Sequence, residues 1–169
     1  MPFLETDRLL LRPYRRDDFP AYAAMRADPA VMRFIGGAPL SREEAWGRFL
    51  RQAGVWHHLG FGYFAVLDRV TGAFLGEAGF HDVKRTIEPS IEGTLEAGWS
   101  LVSPAWGRGI ATEAMDAAIG WASAAWPGKR FTAMIEPAHR ASIRVAEKLG
   151  FRPFAQTAYA GKPVVLFER

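Results

Sequence analysis

The chain has 169 residues, a formal net charge of +3 at pH 7, 49% hydrophobic residues and no cysteine. This length predicts one domain, residues 1–169, that buries roughly two-thirds of its unfolded surface. The lack of cysteine excludes a disulfide framework, a thiolate metal site and an acyl-cysteine intermediate. The small charge, without a run of lysine or arginine, argues against a nucleic-acid partner.

No apolar stretch of the sequence approaches the length of a membrane span, and the first residues lack the charged-then-apolar pattern of a signal peptide. We therefore expect a cytoplasmic protein without a membrane partner. The adjacent pair His57 and His58 has no third ligand at a metal-binding spacing, so we expect no metal site.

The first half of the chain carries signals for strands and two helices. Residues 9–12 are predicted as a strand, and a helix then begins at Asp17 or Asp18 with Pro20 in its first turn. A capping box at residues 41–44 begins a second helix. Three further strands are predicted at residues 62–67, 73–81 and 94–102, the first two as a hairpin.

The second half continues with a helix at residues 110–125 and a short strand at 130–135. A helix at 138–149 is closed by Gly150 as its C-terminal cap. A last hairpin is predicted from residues 152–159 and 163–167. Strands outnumber helices and several are joined as hairpins, which predicts an α+β fold with a mixed, mostly antiparallel sheet.

Two glycines lie where the fourth strand gives way to the third helix. Gly107 and Gly109 can adopt positive φ and leave no Cβ between the backbone and a ligand. The unpaired N–H groups of the helix start carry partial positive charge, which suits a diphosphate. Thr112 stands where a dinucleotide fingerprint needs its third glycine, and the sequence has no Gly-Lys-Ser/Thr of a P-loop.

The segment 106–111, Trp-Gly-Arg-Gly-Ile-Ala, resembles the R/Q-x-x-G-x-G/A signature of the GNAT superfamily of N-acetyltransferases. Gly109 and Ala111 match it, and Trp106 replaces the usual Arg or Gln. Residues 138–151 are similar to the family's N-x-x-S-x-x-x-x-E-K-L-G-F helix, with His139 in place of Asn. The start of the chain, at 5–12, resembles the branch that acetylates the N-termini of ribosomal proteins at alanine or serine.

The resemblance implies the GNAT, or acyl-CoA N-acyltransferase, fold, in which the middle strands of the sheet splay apart and helices flank it. It implies an enzyme that moves an acetyl group from acetyl-CoA to a primary amine by direct attack in a ternary complex. Protein N-termini, amino acids, polyamines and aminoglycosides are all suitable acceptors. Relatives are often dimers, so a homodimer is also expected.

The family likeness also implies which residues hold the cofactor. The pyrophosphate would lie on the backbone N–H groups that follow Trp106 and on the hydroxyl of Thr112, and the open strand edge would pair with pantetheine and polarise the thioester. His139 and Ser142 would contact the cofactor from the following helix. The residues assigned to the phosphate and strand-edge contacts are Leu101, Val102, Trp106, Gly107, Arg108, Gly109, Ile110, Ala111 and Thr112, with Arg140 and Arg144 as further candidates for outer phosphates.

Three side chains are candidates for the general base. Glu96 lies on the strand that leads into the cofactor edge, and Glu77 lies on the preceding strand. A carboxylate can take the amine proton directly or through water, but a structural ion pair is an equal alternative for each. His81 is a third candidate because of its side-chain chemistry.

The general acid departs from the family pattern. Ala146 occupies the position at which many relatives carry a tyrosine, and Ser142, one turn earlier, is the nearest substitute. Together with His139, this departure favours an alternative function, a non-catalytic acyl-CoA-binding or regulatory module on the same fold. A nucleotide-binding domain of another kind is a third hypothesis, which predicts affinity for ATP or NAD over CoA.

Overall fold

The computed structural model describes residues 2–169, which form one mixed sheet flanked by helices. The strands are β1 (Leu4–Glu5), β2 (Leu9–Arg12), β3 (Tyr63–Asp68), β4 (Phe74–His81), β5 (Leu95–Leu101), β6 (Phe131–Ile135), β7 (Arg152–Tyr159) and β8 (Lys162–Glu168). The helices are α1 (Phe19–Ala27), α2 (Pro29–Met32), α3 (Arg42–Leu59), α4 (Ile110–Ala125) and α5 (Arg140–Lys148). Short 3-10 turns cover Arg16–Asp18 and Ser103–Ala105.

The sheet has the strand order β1-β2-β3-β4-β5-β6-β8-β7. Neighbouring strands are antiparallel except β5 and β6, which are parallel and pair only at Leu95 with Phe131 and at Glu96 with Thr132. Beyond this point β6 continues along β8, while β5 continues along β4. The mixed sheet and the splay of its middle strands confirm the predicted fold class.

Helices cover both faces of the sheet. Glu77 and Ala78 are consecutive in β4, so their side chains point to opposite faces. Ala78 packs in the larger apolar core, which also contains the buried stripe of α4. Glu77 instead meets Arg26 of α1, and α1 packs with α3 around a second apolar cluster. One face therefore carries α4, and the other carries α1 and α3.

Local capping marks both ends of α3 and the C-terminal end of α5. The Ser41 hydroxyl accepts a hydrogen bond from the Glu44 N–H at 3.2 Å, and the Glu44 carboxylate accepts one from the Ser41 N–H at 2.8 Å. Gly60 ends α3 with φ +75°, and Gly150 follows α5 with φ +83°, a conformation that favours glycine. The predicted capping box at residues 41–44 and the predicted C-terminal cap at Gly150 are thus confirmed.

The first helix begins at the predicted place, with Asp18 at its N-cap and Pro20 in its first turn, but without the predicted side-chain cap. The Asp18 carboxylate accepts no capping hydrogen bond from α1. It accepts two hydrogen bonds from the buried Arg12 guanidinium, at 2.7 and 2.8 Å, and one from the Arg15 N–H. A buried arginine on β2 outcompetes the helix for this acid because an unpaired buried charge is costly. The sequence analysis also missed the short elements β1 and α2.

Gly76 of β4 should not tolerate a side chain. Its φ is +145°, and a Cβ there would overlap the Ser100 carbonyl oxygen and lie 2.7 Å from the Leu101 Cα. We expect Gly76→Ala to lower the free energy of unfolding by about 3 kcal/mol, measured by urea denaturation. The control is Gly120→Ala in α4, where nothing lies within 4 Å and alanine should stabilise the helix by about 0.5–1 kcal/mol. Equal effects of the two substitutions would contradict the close approach of β4 and β5.

Candidate active site

The segment between β5 and α4 presents an unusual row of unpaired backbone donors. Gly107 and Gly109 adopt φ of +71° and +76°, and the first helical hydrogen bond runs from the Glu113 N–H to the Gly109 carbonyl. Within residues 2–169, no backbone or side-chain acceptor binds the N–H groups of residues 107–112. We call residues 107–112 the phosphate loop. Its donors and the N-terminal end of the α4 dipole suit a diphosphate.

Arg8 fixes the phosphate loop from the start of the chain. Its guanidinium donates to the Arg108 carbonyl at 2.9 Å and forms an ion pair with Glu113 in the first turn of α4. The Thr6 hydroxyl also donates to Glu113. Burial disfavours the charged form of Glu113, but the hydrogen bonds from Thr6 and Arg8 outweigh it and lower its pKa. The sequence analysis missed Arg8, because its partners lie about a hundred residues away.

The divergence of β5 and β6 opens a cleft. A cavity of about 100 Å³ lies between the two strands, with α5 and the segment after α2 closing its sides. Its lining residues are Phe34, Ile35, Ala97, Gly98, Trp99, Met134, Ile135, Glu136, His139 and Ser142. The predicted residues His139 and Ser142 thus line the cleft on the α5 side. On the β5 side the lining residues are Ala97, Gly98 and Trp99, and the predicted Glu96, Leu101 and Val102 are not among them.

The alternating direction of the backbone groups along β5 determines which N–H and carbonyl groups point toward this cleft. The Val102 N–H donates to the Leu75 carbonyl of β4 at 3.0 Å. Because N–H groups alternate in direction along a strand, those of Trp99 and Leu101 point away from β4, toward the open edge. Of the two residues assigned to this edge, Val102 therefore has its N–H bound to β4, and the N–H of Leu101 has the direction needed to polarise a bound carbonyl. The Trp106 indole N–H occupies the Leu101 carbonyl at 2.9 Å.

His139 and Ser142 form a pair on the α5 side of the cleft. The Ser142 hydroxyl is buried and lies 3.2 Å from the His139 Nε2. The His139 ring stacks on Phe34, with 4.3 Å between ring centroids. Burial lowers the pKa of His139 despite the nearby Glu136 carboxylate. Ala146 is buried one turn further along the helix and adds no polar group.

The three candidate phosphate-binding arginines differ from Arg8 because no ion pair within residues 2–169 holds their side chains in place. Arg108, Arg140 and Arg144 are exposed, and none forms an ion pair with another residue in the range 2–169. Their side chains therefore remain able to bind an anion outside the phosphate loop.

Glu77 is held in a buried ion pair. It is only 3% exposed, and one oxygen pairs with Arg26 while the other accepts a hydrogen bond from the Tyr14 hydroxyl at 2.7 Å. Both oxygens are thus occupied on the face covered by α1. These contacts support the alternative of a structural ion pair for Glu77.

Glu96 is also paired, but its partners reach solvent. Its oxygens accept hydrogen bonds from the Arg85 Nε at 2.8 and 2.9 Å, and one lies 3.1 Å from the His81 Nε2. Burial disfavours the charged form of Glu96, but the contacts with His81 and Arg85 outweigh it and lower its pKa. The His81 side chain is 17% exposed, so this pair is open to a proton acceptor or donor from outside. The sequence analysis missed Arg85.

Tyr63 is a site residue that the sequence analysis placed only in a general aromatic group. Its hydroxyl lies against Gly98, where a Cβ would overlap it, and its ring meets that of His81 edge to face at 5.3 Å. Burial raises the pKa of Tyr63 well above its ordinary value. The hydroxyl has no hydrogen-bond partner among residues 2–169. Tyr63 pairs with Gly79 of β4. The alternation of side chains along β3 was the sequence signal that could have indicated the face on which Tyr63 lies.

Comparison with known proteins identifies the family of this chain. The family model described as an acetyltransferase (GNAT) domain matches residues 8–152. The chain belongs to the GNAT acetyltransferase family. The Bacillus subtilis protein YkkB is 31% identical over 98% of this chain and 94% of its own length.

Solved GNAT structures have the same fold. A Bordetella pertussis protein assigned to the GNAT acetyltransferases is 34% identical, with a TM-score of 0.89 and coverage of 100% of this chain and 99% of that one. RimL, the ribosomal L7/L12 alpha-N-protein acetyltransferase solved in complex with coenzyme A, is 18% identical. It covers 99% of this chain and 97% of its own, with a TM-score of 0.79, and supports the fold alone.

Two kinds of feature are absent from the described part of this GNAT chain. Residues 2–169 contain no group of three or more His, Cys, Asp or Glu side chains placed to hold a metal ion. Among the helices in the same range, none combines the length and hydropathy needed to cross a membrane.

The charge of Glu96 should make stability depend on pH. Its pKa lies below the ordinary value of 4.5 in the folded chain, so its ion pairs stabilise the fold above that pH and are lost as the pH falls through the folded pKa. We expect Glu96→Gln to destabilise the protein at pH 7 by about 3 kcal/mol and by less at pH 3.5. Urea denaturation at both pH values measures this, with exposed Glu147→Gln as control. A pH-independent loss would contradict the assignment.

Proposed function

We propose that this chain is an acetyl-CoA-dependent N-acetyltransferase that acts on a primary amine by direct attack within a ternary complex. The observation that carries the proposal is the open edge of β5, which runs from the cleft at Gly98 directly into the phosphate loop. A long thiol cofactor with a diphosphate at one end needs both features in this order.

The residues present fit that cofactor. The free N–H groups of the phosphate loop would bind the pyrophosphate, and Arg108, Arg140 and Arg144 are free to meet outer phosphates. The backbone groups of Trp99 and the N–H of Leu101 would pair with the pantetheine amides or polarise the thioester oxygen. The Leu101 carbonyl would take no part, since Trp106 already occupies it.

We assign the proton transfer from the amine to His81 held by Glu96. A neutral His81 that donates its Nε2–H to Glu96 keeps Nδ1 as an acceptor, and the carboxylate stabilises the imidazolium that forms. Glu96 itself is a weaker base than the sequence analysis expected, because the hydrogen bonds from Arg85 stabilise its charged form and lower its pKa. It acts here as the group that orients His81.

We assign the stabilisation of the leaving thiolate to Ser142. Its hydroxyl lines the cleft and can donate a hydrogen bond to the departing sulfur. His139 lies within hydrogen-bond distance of that hydroxyl and is fixed by its stack on Phe34. A thiolate is a tolerable leaving group, so the missing tyrosine at Ala146 does not prevent the reaction.

The acceptor is proposed only as a class. RimL is named for the alpha-amino group of a ribosomal protein, and a Vibrio cholerae neighbour solved with CoA and spermine is named spermidine N-acetyltransferase. Both acceptors are primary amines. We extend that class, from protein N-termini to small amines, to this chain.

The phosphate loop is tested by Gly109→Asp. A Cβ at Gly109 would lie 3.5 Å from the Arg8 guanidinium. The added carboxylate would bring negative charge to the phosphate loop and compete for Arg8, so we expect acetyl-CoA affinity to fall about 100-fold in a calorimetric titration. The control is Gly128→Asp, which adds the same charge at the same backbone conformation, φ +78°, with nothing within 4 Å. Equal affinity of the two variants would remove the phosphate-loop assignment.

The catalytic assignments are tested by rate. We expect His81→Gln to lower kcat about 100-fold, while Ser142→Ala lowers kcat about tenfold. Exposed His58→Gln is the matched control. Acetyl-CoA affinity should be unchanged by His81→Gln. An unchanged kcat in that variant would return the base role to Glu96 or water.

The alternative, a non-catalytic acyl-CoA-binding module, is separated by product release. Both functions predict acetyl-CoA binding, but only the enzyme releases free CoA in the presence of amines. Because the chain has no cysteine, a thiol reagent measures released CoA without a protein background. A panel of an N-terminal peptide, spermidine, an amino acid and an aminoglycoside would show release with at least one amine, and binding without release from any would support the module.

A further inference from the structure

We propose that the face of the sheet carrying α3 holds a second small-molecule site, which binds a small carboxylate with a flat apolar body. A cavity of about 370 Å³ lies between α3 and the segment that follows β2. This volume lies within the range of ordinary ligand pockets. None of its lining residues lines the cleft between β5 and β6.

The walls of this cavity are aromatic. Trp46, Phe49 and Trp56 of α3 line it together with Tyr14, whose ring meets that of Phe49 edge to face at 5.2 Å. Phe49 and Trp56 are almost fully buried, whereas Trp46 is 36% exposed and Leu50, at the rim, is 51% exposed. Large apolar side chains grouped at one opening mark a binding surface more often than scattered ones do. A flat apolar ligand would cover them.

Gln52 supplies a polar group inside these walls. The residue is only 7% exposed, its side chain lines the cavity, and no other residue in the range 2–169 gives its amide a hydrogen bond. The amide atoms are not among the buried polar atoms left without a partner, so they are accessible from the cavity. A ligand oxygen or N–H in the cavity would hydrogen-bond to them.

Two arginines set the charge of the ligand. Arg15 and Arg16 line the mouth of the cavity, are exposed, and form no ion pair with another described residue. The nearest buried acid, Asp18, is already taken by Arg12 at 2.7 and 2.8 Å. A guanidinium fork matches a carboxylate with two hydrogen bonds. The mouth thus selects an anion, which separates this site from the amine acceptor of the proposed reaction.

The site is tested with three ligands of one shape and different charge. Indole-3-acetate, indole-3-acetamide and tryptamine are titrated by calorimetry into the full chain without acetyl-CoA, so the result does not depend on the proposed enzyme activity. We expect saturable one-to-one binding of the carboxylate, at least about tenfold weaker binding of the amide, and none of the amine. Chemical shifts of the indole N–H groups of Trp46 and Trp56 should move with the carboxylate.

Matched variants assign the binding to these residues. Arg15→Gln with Arg16→Gln should remove the preference for the carboxylate over the amide, and Gln52→Leu should weaken both ligands. The control, Arg48→Gln with Arg51→Gln, changes two exposed arginines of α3 that lie outside the cavity and should bind as the unchanged chain does.

Three results would overturn the proposal. They are equal binding of carboxylate and amide, equal loss in both double variants, and no binding of any probe. If no probe binds and Trp46→Arg converts a dimer to a monomer in sedimentation, the cavity is instead an interface between two copies of the chain.

Discussion

The site depends on the point at which β5 and β6 separate. Two register pairs, Leu95 with Phe131 and Glu96 with Thr132, keep both strands in one sheet. Beyond them, β4 and β8 each hold one of the strands, so the sheet opens without losing either half. An open edge exposes backbone groups that need partners. The cleft is therefore a place where the fold itself leaves hydrogen-bonding capacity for a ligand.

Two buried carboxylates lie on the face of the sheet away from α4, and their partners give them different chemistry. Glu77 is enclosed by Arg26 and Tyr14, so exchanging a proton there would leave a buried guanidinium without its counter-charge. Glu96 has a partly exposed partner in His81. A proton can reach that imidazole while Glu96 remains charged and paired with Arg85. This difference makes one carboxylate structural and the other suitable for a catalytic site.

The sequence predicts those features that depend on neighbouring residues. The box at Ser41, the glycine after α5 and the positive φ of Gly107 and Gly109 are local, and the structure contains each of them. Pairs distant in sequence leave no periodic signal: Arg26 meets Glu77 across 51 positions. The choice between the N–H groups of Leu101 and Val102 was open for a similar reason. Which N–H of a strand faces outward depends on the register with β4, and a single sequence does not contain that register.

Two of the departures from the family pattern, Trp106 and His139, hold residues at the edges of the cleft in place. Trp106 replaces a long polar side chain, yet its indole N–H still hydrogen-bonds, to the Leu101 carbonyl at the open edge. His139 replaces an amide, and its ring packs on Phe34 while its Nε2 approaches the Ser142 hydroxyl. In each case an aromatic ring supplies packing and a ring nitrogen supplies the polar contact. One ring lies at the end of β5 and the other at the start of α5, so together they fix both sides of the opening.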